Sequence, residues 1–166
     1  MKYTEKDILN LSSGKNHEKE NFPVSSFLIS PEKKNQIRKF YKFARIADDI
    51  ADNKELSARE KVKILDYFDK TLTGKIKSKF KFLNDLIEIF KQGSLSVENA
   101  RKLLIAFKID ATKLRYKTWE ELLDYCNNSA SPVGRYVIEL HLKRKNIDGT
   151  LKQIFVGSDN LCNSLQ

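Results

Sequence analysis

The sequence contains very few of the residues that cross-link a protein or bind transition metals. Among its 166 residues are two cysteines, Cys126 and Cys162, and two histidines, His17 and His141. The cysteines are far apart and form no CxxC pair, so we expect neither a disulfide framework nor a zinc site. With so few histidines a His/Cys metal cluster is also excluded. Any metal ion would therefore be held by oxygen atoms.

Long apolar runs are missing as well. No stretch of about 18 apolar residues occurs, so a transmembrane helix is not expected. Residues 1–15 alternate charged with isolated apolar side chains, which is unlike a secretory signal. Because 40% of the residues are hydrophobic, we predict one globular domain over residues 1–166. A cytoplasmic location is expected.

The net charge is +9, from 31 Lys and Arg residues against 22 Asp and Glu residues. Such a surplus fits a nucleic acid, an anionic membrane surface, a phosphorylated substrate, or solubility alone. Lysines are spread along the predicted helices, for example Lys61, Lys63, Lys70, Lys75, Lys77, Lys79 and Lys81. This spread is typical of a solvated surface, and no DNA- or RNA-binding motif is present. We expect no nucleic-acid partner and expect the basic surface to favour peripheral contact with anionic lipid.

Glycine and proline are scarce, with six and three residues, and alternating β-branched residues are rare, so a sheet protein is not expected. Apolar residues instead recur at helical spacing almost throughout the chain. The sequence therefore predicts an all-α protein. The predicted helices cover residues 31–53, 58–73, 79–91, 97–114, 119–140 and 151–165.

Local signals mark the ends of these helices. Ser30 precedes a proline at the first helical position, and Ser57 with Glu60 is predicted to form a capping box. Thr118 with Glu121 is predicted to form a second box. Further expected signals are an N-cap at Ser96, helix ends at Gly74 and at Gln92-Gly93, and a turn over residues 146–149.

Acidic residues are concentrated near the end of the first long helix, in the sequence RIADDIAD over residues 45–52. On a helix, Tyr41, Arg45, Asp48 and Asp52 fall in one narrow stripe, and Asp49 lies one position round. Two carboxylates about 6 Å apart repel by roughly 3 kcal/mol at an effective dielectric near 20, and a divalent cation would reverse this repulsion. Oxygen ligands without histidine suit Mg²⁺. An acidic helix end in water is the plain alternative.

Other polar residues surround this motif in the sequence. Arg45 could donate to a phosphate oxygen beside the metal, or simply pair with Asp49. Asp110 lies at the edge of an apolar stripe and needs either a partner or a role as a ligand, and Lys113 on the next turn is the plain candidate for the partner. Arg115 is a residue type that binds phosphate.

Pro132 lies inside the helical pattern of residues 119–140. Because proline frees the carbonyl four residues back, it must kink or break this helix. Small residues flank the bend, at Ser129, Ala130, Ser131 and Gly134. Together with the polar residues above, the bend suggests a groove between helices.

Four segments, in this order, resemble the squalene/phytoene synthase family. They are Glu20–Val24 (ENFPV), Phe40–Asp52 (FYKFARIADDIAD), Asp110–Tyr116 (DATKLRY) and Tyr125–Arg135 (YCNNSASPVGR). The ordered set is far more specific than any one motif, and the resemblance covers nearly the whole chain from Ser13 onward. The opening ENFPVSS and the form RIADDIAD look most like the hydroxysqualene synthase branch of bacterial hopanoid biosynthesis.

The resemblance implies an all-helical terpenoid synthase bundle, in which two facing aspartate-rich motifs hold Mg²⁺ on a prenyl diphosphate. It implies Asp48, Asp49 and Asp52 as metal ligands and Asp48, Asp52 and Tyr125 as catalytic residues. The substrate-binding set that it implies is Tyr41, Arg45, Asp110, Arg115, Val133, Gly134 and Gln166. For the hydroxysqualene branch, the substrate would be presqualene diphosphate and water would capture the cation; head-to-head condensation of farnesyl diphosphate is the alternative.

The sequence departs from the family pattern at its end. In the family, the helix resembling residues 158–166 continues into the second aspartate-rich motif, and this sequence stops at Gln166. We therefore expect a C-terminally truncated family member that does not turn over alone and that a C-terminal half could complement. A non-catalytic scaffold or assembly factor derived from the family is the rival interpretation.

Overall fold

The structure is a computed structural model that describes residues 3–11, 29–113, 115–142 and 149–166. These residues form helices and no strand, which confirms the all-α prediction for the described part of the chain. The helices are α1 (Glu5–Asn10), α2 (Pro31–Asp52), α3 (Ala58–Leu72), α4 (Lys81–Gly93), α5 (Glu98–Asp110), α6 (Trp119–Ser129), α7 (Ser131–His141) and α8 (Gly149–Leu165). None of them is long and apolar enough to cross a bilayer.

Helix α2 is the centre of the fold and packs against α1, α3, α4 and α5. Its buried residues are Ile37, Phe40, Phe43, Ile46, Ala47, Asp49, Ile50 and Ala51. They occupy several faces of the helix, as expected for a helix enclosed by others. Helices α6, α7 and α8 pack on one another, and α6 and α7 join this unit to α5.

Aromatic residues fill the core where α3 and α4 meet α2. Phe68 is fully buried, and its ring centroid lies 6.3 Å from Phe43, 6.3 Å from Phe80 and 5.5 Å from Phe82. The contacts with Phe80 and Phe82 are edge-to-face, which the ring quadrupoles favour. We call these four residues the aromatic core.

Several predicted helix ends are confirmed. Proline occupies the first turn of α2, and Ser57 and Glu60 form the complete capping box of α3, with each side chain accepting from the other's backbone N–H. Gly74 follows α3 with φ of 73°, a left-handed conformation that glycine adopts without strain. Pro132 breaks the predicted 119–140 helix into α6 and α7, which are separated by Ala130 alone.

Other ends differ from the prediction. The N-cap of α5 is Val97, although the hydroxyl of Ser96 does accept from the Glu98 N–H at 3.1 Å. Thr118 accepts from the Glu121 N–H, but the Glu121 carboxylate turns away to Lys117 and Lys113, so the second box is only half formed.

Both ends of α4 also differ from the prediction, and helix α1 was not predicted. Helix α4 begins two residues later than predicted and includes Gly93, and Ser94 takes the left-handed conformation after it. Helix α1 is an addition, capped by a Thr4–Asp7 box and anchored by the buried Ile8. Leu114 and most of the predicted turn at 146–149 lie outside the described residues.

Candidate active site

A cavity of about 380 Å³ lies between α2, α5, α6 and α7 and reaches Gln166. Its apolar wall comprises Ile37, Phe40, Ala44, Leu103, Phe107, Val133, Tyr136 and Val137, and its polar lining comprises Tyr41, Arg45, Asp48, Tyr125, Ser129 and Gln166. The cavity therefore presents an apolar interior beside a group of charged and hydrogen-bonding side chains. This combination suits a ligand with a hydrocarbon chain and an anionic head.

Helix α2 supplies one side of the polar lining. Tyr41, Arg45 and Asp48 are separated by four and three residues, so they follow one another along a single face. Asp49 points elsewhere and is buried, with 4% of its surface exposed. Asp52, which the sequence placed on the stripe with Asp48, is exposed at the end of the helix.

Arg45 joins the first two aspartates. One guanidinium nitrogen lies 3.3 Å from Asp48 Oδ2 and the other lies 3.2 Å from Asp49 Oδ1. The ion pair with Asp49, one of the two interpretations of Arg45, is thus present, and it orients the guanidinium beside the cavity. Because Asp48 is 36% exposed and Asp49 only 3%, a ligand could replace the first contact while the second holds Arg45 in place.

The end of α2 is electrostatically strained. Burial raises the pKa of Asp48 to about 6, the Asp52, Asp49 and Asp110 carboxylates add to this rise, and Arg45 opposes it. Lys61 offsets part of the negative charge, because its ammonium group donates to the Ala51 carbonyl at 2.7 Å. Because its pKa is raised, ionised Asp48 costs free energy in the folded state, and a bound proton or cation would relieve this cost.

Asp110 and Tyr125 form the opposite side of the site. The Tyr125 hydroxyl donates to Asp110 Oδ2 at 2.9 Å. Burial raises the pKa of Asp110, the hydrogen bond from Tyr125 opposes this, and Asp52 adds to it. The pKa of Tyr125 is raised by burial and by the same hydrogen bond, so Tyr125 stays protonated at neutral pH.

The prediction that Lys113 pairs with Asp110 is wrong. Lys113 instead contacts Glu121 at 2.9 Å and lies 4.7 Å from the centre of the Tyr116 ring. That ring packs on Tyr125, with 5.0 Å between centroids. Tyr125 is therefore the partner that satisfies the Asp110 carboxylate, across the α5–α6 contact.

The structure brings together six of the site residues named from the sequence, since Tyr41, Arg45, Asp48, Tyr125, Val133 and Gln166 all line the cavity. Asp110 joins them through Tyr125. Arg115 is exposed outside the lining. Gly134 was expected to line the cavity, but it lies against α8, where a Cβ would come within 2.5 Å of Ser158 Oγ and 2.7 Å of Cys162 Sγ.

Two aromatic residues of the cavity wall are not among the site residues predicted from the sequence. Phe40 and Tyr136 stack with centroids 3.9 Å apart, and the Tyr136 hydroxyl donates to the Gln36 carbonyl at 3.1 Å. Phe40 recurs at helical spacing with Ile37 and Ala44, but this apolar spacing does not distinguish a cavity wall from a packed core. Tyr136 lies within the predicted 119–140 helix, three residues after Val133, but this helical spacing does not indicate a contact with α2.

The described residues contain no group of three or more His, Cys, Asp or Glu side chains placed to hold a metal ion. Asp48 and Asp52 nevertheless form a carboxylate pair whose mutual repulsion raises the pKa of Asp48. Mg²⁺ commonly binds through one or two carboxylates and completes its shell with water and substrate phosphates. The oxygen donors therefore fit Mg²⁺ bound together with a diphosphate.

Known proteins similar to this chain are hydroxysqualene synthases. That of Zymomonas mobilis is 40% identical over 157 residues, which cover 94% of this chain and 50% of the relative. That of Rhodopseudomonas palustris is 38% identical over 156 residues, covering 94% and 51%, and that of Sinorhizobium fredii is 39% identical over 150 residues, covering 90% and 49%. The chain thus spans about half the length of these curated relatives.

No solved structure gives a significant match. The family model described as squalene/phytoene synthase matches residues 15–166, which is most of the chain and includes every segment on which the resemblance rests. The helical fold of the described residues agrees with this match. The chain therefore belongs to the squalene/phytoene synthase family.

Proposed function

We propose that this chain serves a Mg²⁺-dependent enzyme that ionises presqualene diphosphate and forms hydroxysqualene. The observation that carries the proposal is the cavity, where an apolar wall adjoins Arg45 and Asp48. Three relatives named hydroxysqualene synthase support the choice of product. Condensation of two farnesyl diphosphates is the alternative for the same site.

The polar residues divide the binding of a diphosphate between them. Asp48 and Asp52 would hold Mg²⁺, and Asp49 would keep Arg45 in position to donate to a phosphate oxygen. When bound there, Mg²⁺ would neutralise the negative charge that develops on the leaving diphosphate. Tyr41, on the same face one turn before Arg45, would provide a further hydroxyl.

The cavity wall would control the fate of the organic part. Phe40, Leu103 and Phe107 exclude water from the hydrocarbon chain, which protects a carbocation from indiscriminate capture. The stacked rings of Phe40 and Tyr136 present π electrons that stabilise positive charge. Tyr125 keeps its proton on the bond to Asp110 and can orient the capturing water.

Calorimetry tests the metal assignment directly. Titration with Mg²⁺ in the presence of a non-hydrolysable farnesyl diphosphate analogue is expected to show binding that is absent without the analogue. The variant Asp48→Asn/Asp52→Asn should lose this binding at least tenfold, because two carboxylates of the shell are removed.

A matched variant distinguishes loss of the metal site from a general loss of negative charge. Glu120→Gln/Asp124→Asn removes two exposed carboxylates of α6 that do not line the cavity, and it should bind Mg²⁺ and the analogue as the parent does. Equal binding by the Asp48/Asp52 variant and the parent would refute the metal assignment.

The proposal also includes a complementing C-terminal half. Ile154, Leu161 and Leu165 lie on one face of α8 and are exposed, with 63% and 80% of the last two open to water, so they offer an apolar surface for further helices. Support comes from the relatives, of which the chain matches about half. We expect the chain alone to show no turnover, because the family grips the diphosphate with a second aspartate-rich motif.

The turnover experiment measures consumption of presqualene diphosphate with Mg²⁺, with and without the C-terminal half of a relative. Activity is expected only in the mixture, and Leu161→Glu should prevent it while leaving the chain folded. Robust turnover by the chain alone would contradict the requirement for a second half. A folded complex without turnover would favour the non-catalytic scaffold.

A further inference from the structure

A second cavity, of about 810 Å³, lies against the outer face of α3 and shares no lining residue with the candidate active site. It is lined by Tyr3, Arg59, Glu60, Val62, Lys63, Ile64, Asp66, Tyr67, Lys70 and Ile76. We call it the α3 groove. Neither the family resemblance nor the proposed reaction uses it.

The α3 groove is strongly basic. Arg59, Lys63 and Lys70 are exposed on its lining, and none of the three forms an ion pair with another described residue. The loop that follows α3 adds three exposed lysines over residues 75–79 and contains no carboxylate. Three cationic side chains thus line the groove, and three more are exposed on the loop that follows α3.

The two carboxylates of the groove are already committed to other partners. Glu60 accepts from the Ser57 backbone and hydroxyl at 3.2 and 2.8 Å and from the Tyr3 hydroxyl at 3.3 Å. Asp66 accepts from Lys108 at 2.6 Å. Lys108 therefore balances the charge of Asp66, whereas Glu60 keeps its charge among neutral donors. The three lining cations and the three lysines of the adjacent loop outnumber this one carboxylate, so the region keeps a positive potential.

The groove also has an apolar and aromatic floor. Val62, Ile64 and Ile76 line it, together with the rings of Tyr3 and Tyr67. Tyr67 fixes the loop to α3, because its hydroxyl accepts from the Lys79 N–H at 3.3 Å and its ring lies 5.4 Å from Phe80. The floor and the basic border are thus held together as one surface.

We propose that the α3 groove docks the protein onto a membrane that contains acidic phospholipids. Clusters of four to eight basic residues beside apolar side chains bind anionic bilayers, and each cation near the surface adds to the affinity. Lysines reach lipid phosphates on long apolar stems, and tyrosine rings suit the bilayer interface. A nucleic-acid surface would more often use the planar fork of arginine, and Arg59 is the one arginine of this groove.

Flotation of the full chain with vesicles tests the docking. The chain should float with phosphatidylcholine vesicles that contain about a third phosphatidylglycerol, and not with pure phosphatidylcholine. Arg59→Gln/Lys63→Gln/Lys70→Gln should weaken vesicle binding by about a hundredfold, because the three lining cations are removed. The control Lys42→Gln/Lys91→Gln/Lys152→Gln removes the same charge from exposed sites outside the groove and should change binding by less than about fivefold.

Three outcomes would overturn the proposal. Equal weakening by the two triple variants would show that charge acts diffusely. Release from vesicles by millimolar inorganic diphosphate, with direct binding of that anion in the groove, would show a soluble phosphate ligand instead. Retention of a DNA duplex without vesicle binding at the same salt concentration would assign the basic surface to nucleic acid.

Discussion

The aromatic core and the cavity are built from the same central helix, yet they contain opposite kinds of interaction. Around Phe43 and Phe68, which are both fully buried, aromatic rings pack on one another. On the cavity side, Asp48 lies beside other carboxylates that raise its pKa, and α8 leaves Leu161 exposed. The side chains of the aromatic core contact one another, whereas the carboxylates and the exposed leucine of the cavity side would be covered or neutralised by ligands or further helices.

The contacts that hold α8 illustrate the difference. Arg135 pairs with Asp159 through two nitrogens, and Ser131 donates to Asn163 at 2.9 Å. Such polar contacts fix the position of a helix, but each contributes less free energy than a buried aromatic ring. Stability is therefore concentrated in the aromatic core, and the cavity side retains the capacity to bind.

Substitution of a ring in the aromatic core should have the largest effect on the free energy of unfolding. Phe68→Ala should lower the free energy of unfolding by about 3–5 kcal/mol, because it removes a fully buried ring from contact with three others. Urea denaturation followed by circular dichroism measures this loss.

Leu161→Ala on α8 provides the matched comparison. The side chain is 63% exposed, so its loss should change the free energy of unfolding by less than about 0.5 kcal/mol. If Phe68→Ala and Leu161→Ala lowered the free energy of unfolding equally, stability would not be concentrated in the aromatic core.

An intermediate effect is expected where α7 meets α8. Gly134→Ala places a Cβ 2.5 Å from Ser158 Oγ and 2.7 Å from Cys162 Sγ, so these two side chains must rotate away or α8 must shift. We expect a loss of about 1–3 kcal/mol. Hydrogen exchange should accelerate in α8 while α3 stays protected, because the strain falls on the cavity side.

Gly157→Ala is the control for this substitution. A Cβ at Gly157 would meet no atom within 4 Å, so helix propensity alone should stabilise the protein by about 0.5–1 kcal/mol. The variant Gly134→Ala/Ser158→Ala/Cys162→Ala removes both clashing atoms and should recover part of the loss. Unchanged stability of Gly134→Ala alone would show that α7 and α8 are not tightly packed.

Most helix boundaries could be predicted because their signals are local. The capping box at Ser57 and Glu60 and the left-handed Gly74 depend on neighbouring residues only, and both are confirmed. Helix α1 carried an equivalent signal in Thr4 and Asp7, but its short apolar pattern concealed it. At Pro132 the sequence predicted a disruption, and whether it would be a kink or a break depended on the packing of α7.

The site was less predictable, because its contacts join different helices. The stripe of Tyr41, Arg45 and Asp48 follows from helical spacing alone. By contrast, the bond from Tyr125 to Asp110 depends on how α6 packs against α5. Helical spacing set Asp49 beside the stripe, but α2 is enclosed on several sides and the structure buries this residue.

On the cavity side, Asp48→Asn should slightly stabilise the ligand-free protein. Burial and neighbouring carboxylates raise the pKa of Asp48 to about 6 in the folded state, from an ordinary value of 3.8. Above pH 6 the folded state therefore carries a penalty that the unfolded state lacks, whereas below pH 4 both states bind the proton and the penalty disappears. Because a third of the side chain is open to water, we expect a gain of only about 1 kcal/mol at pH 8, which shrinks toward pH 4.

Urea denaturation from pH 4 to pH 8, with the exposed Asp124→Asn as control, measures this dependence. A destabilised variant at pH 8, or a difference that does not change with pH, would show that Arg45 outweighs the repulsion and that the cavity side is not held ready for a cation.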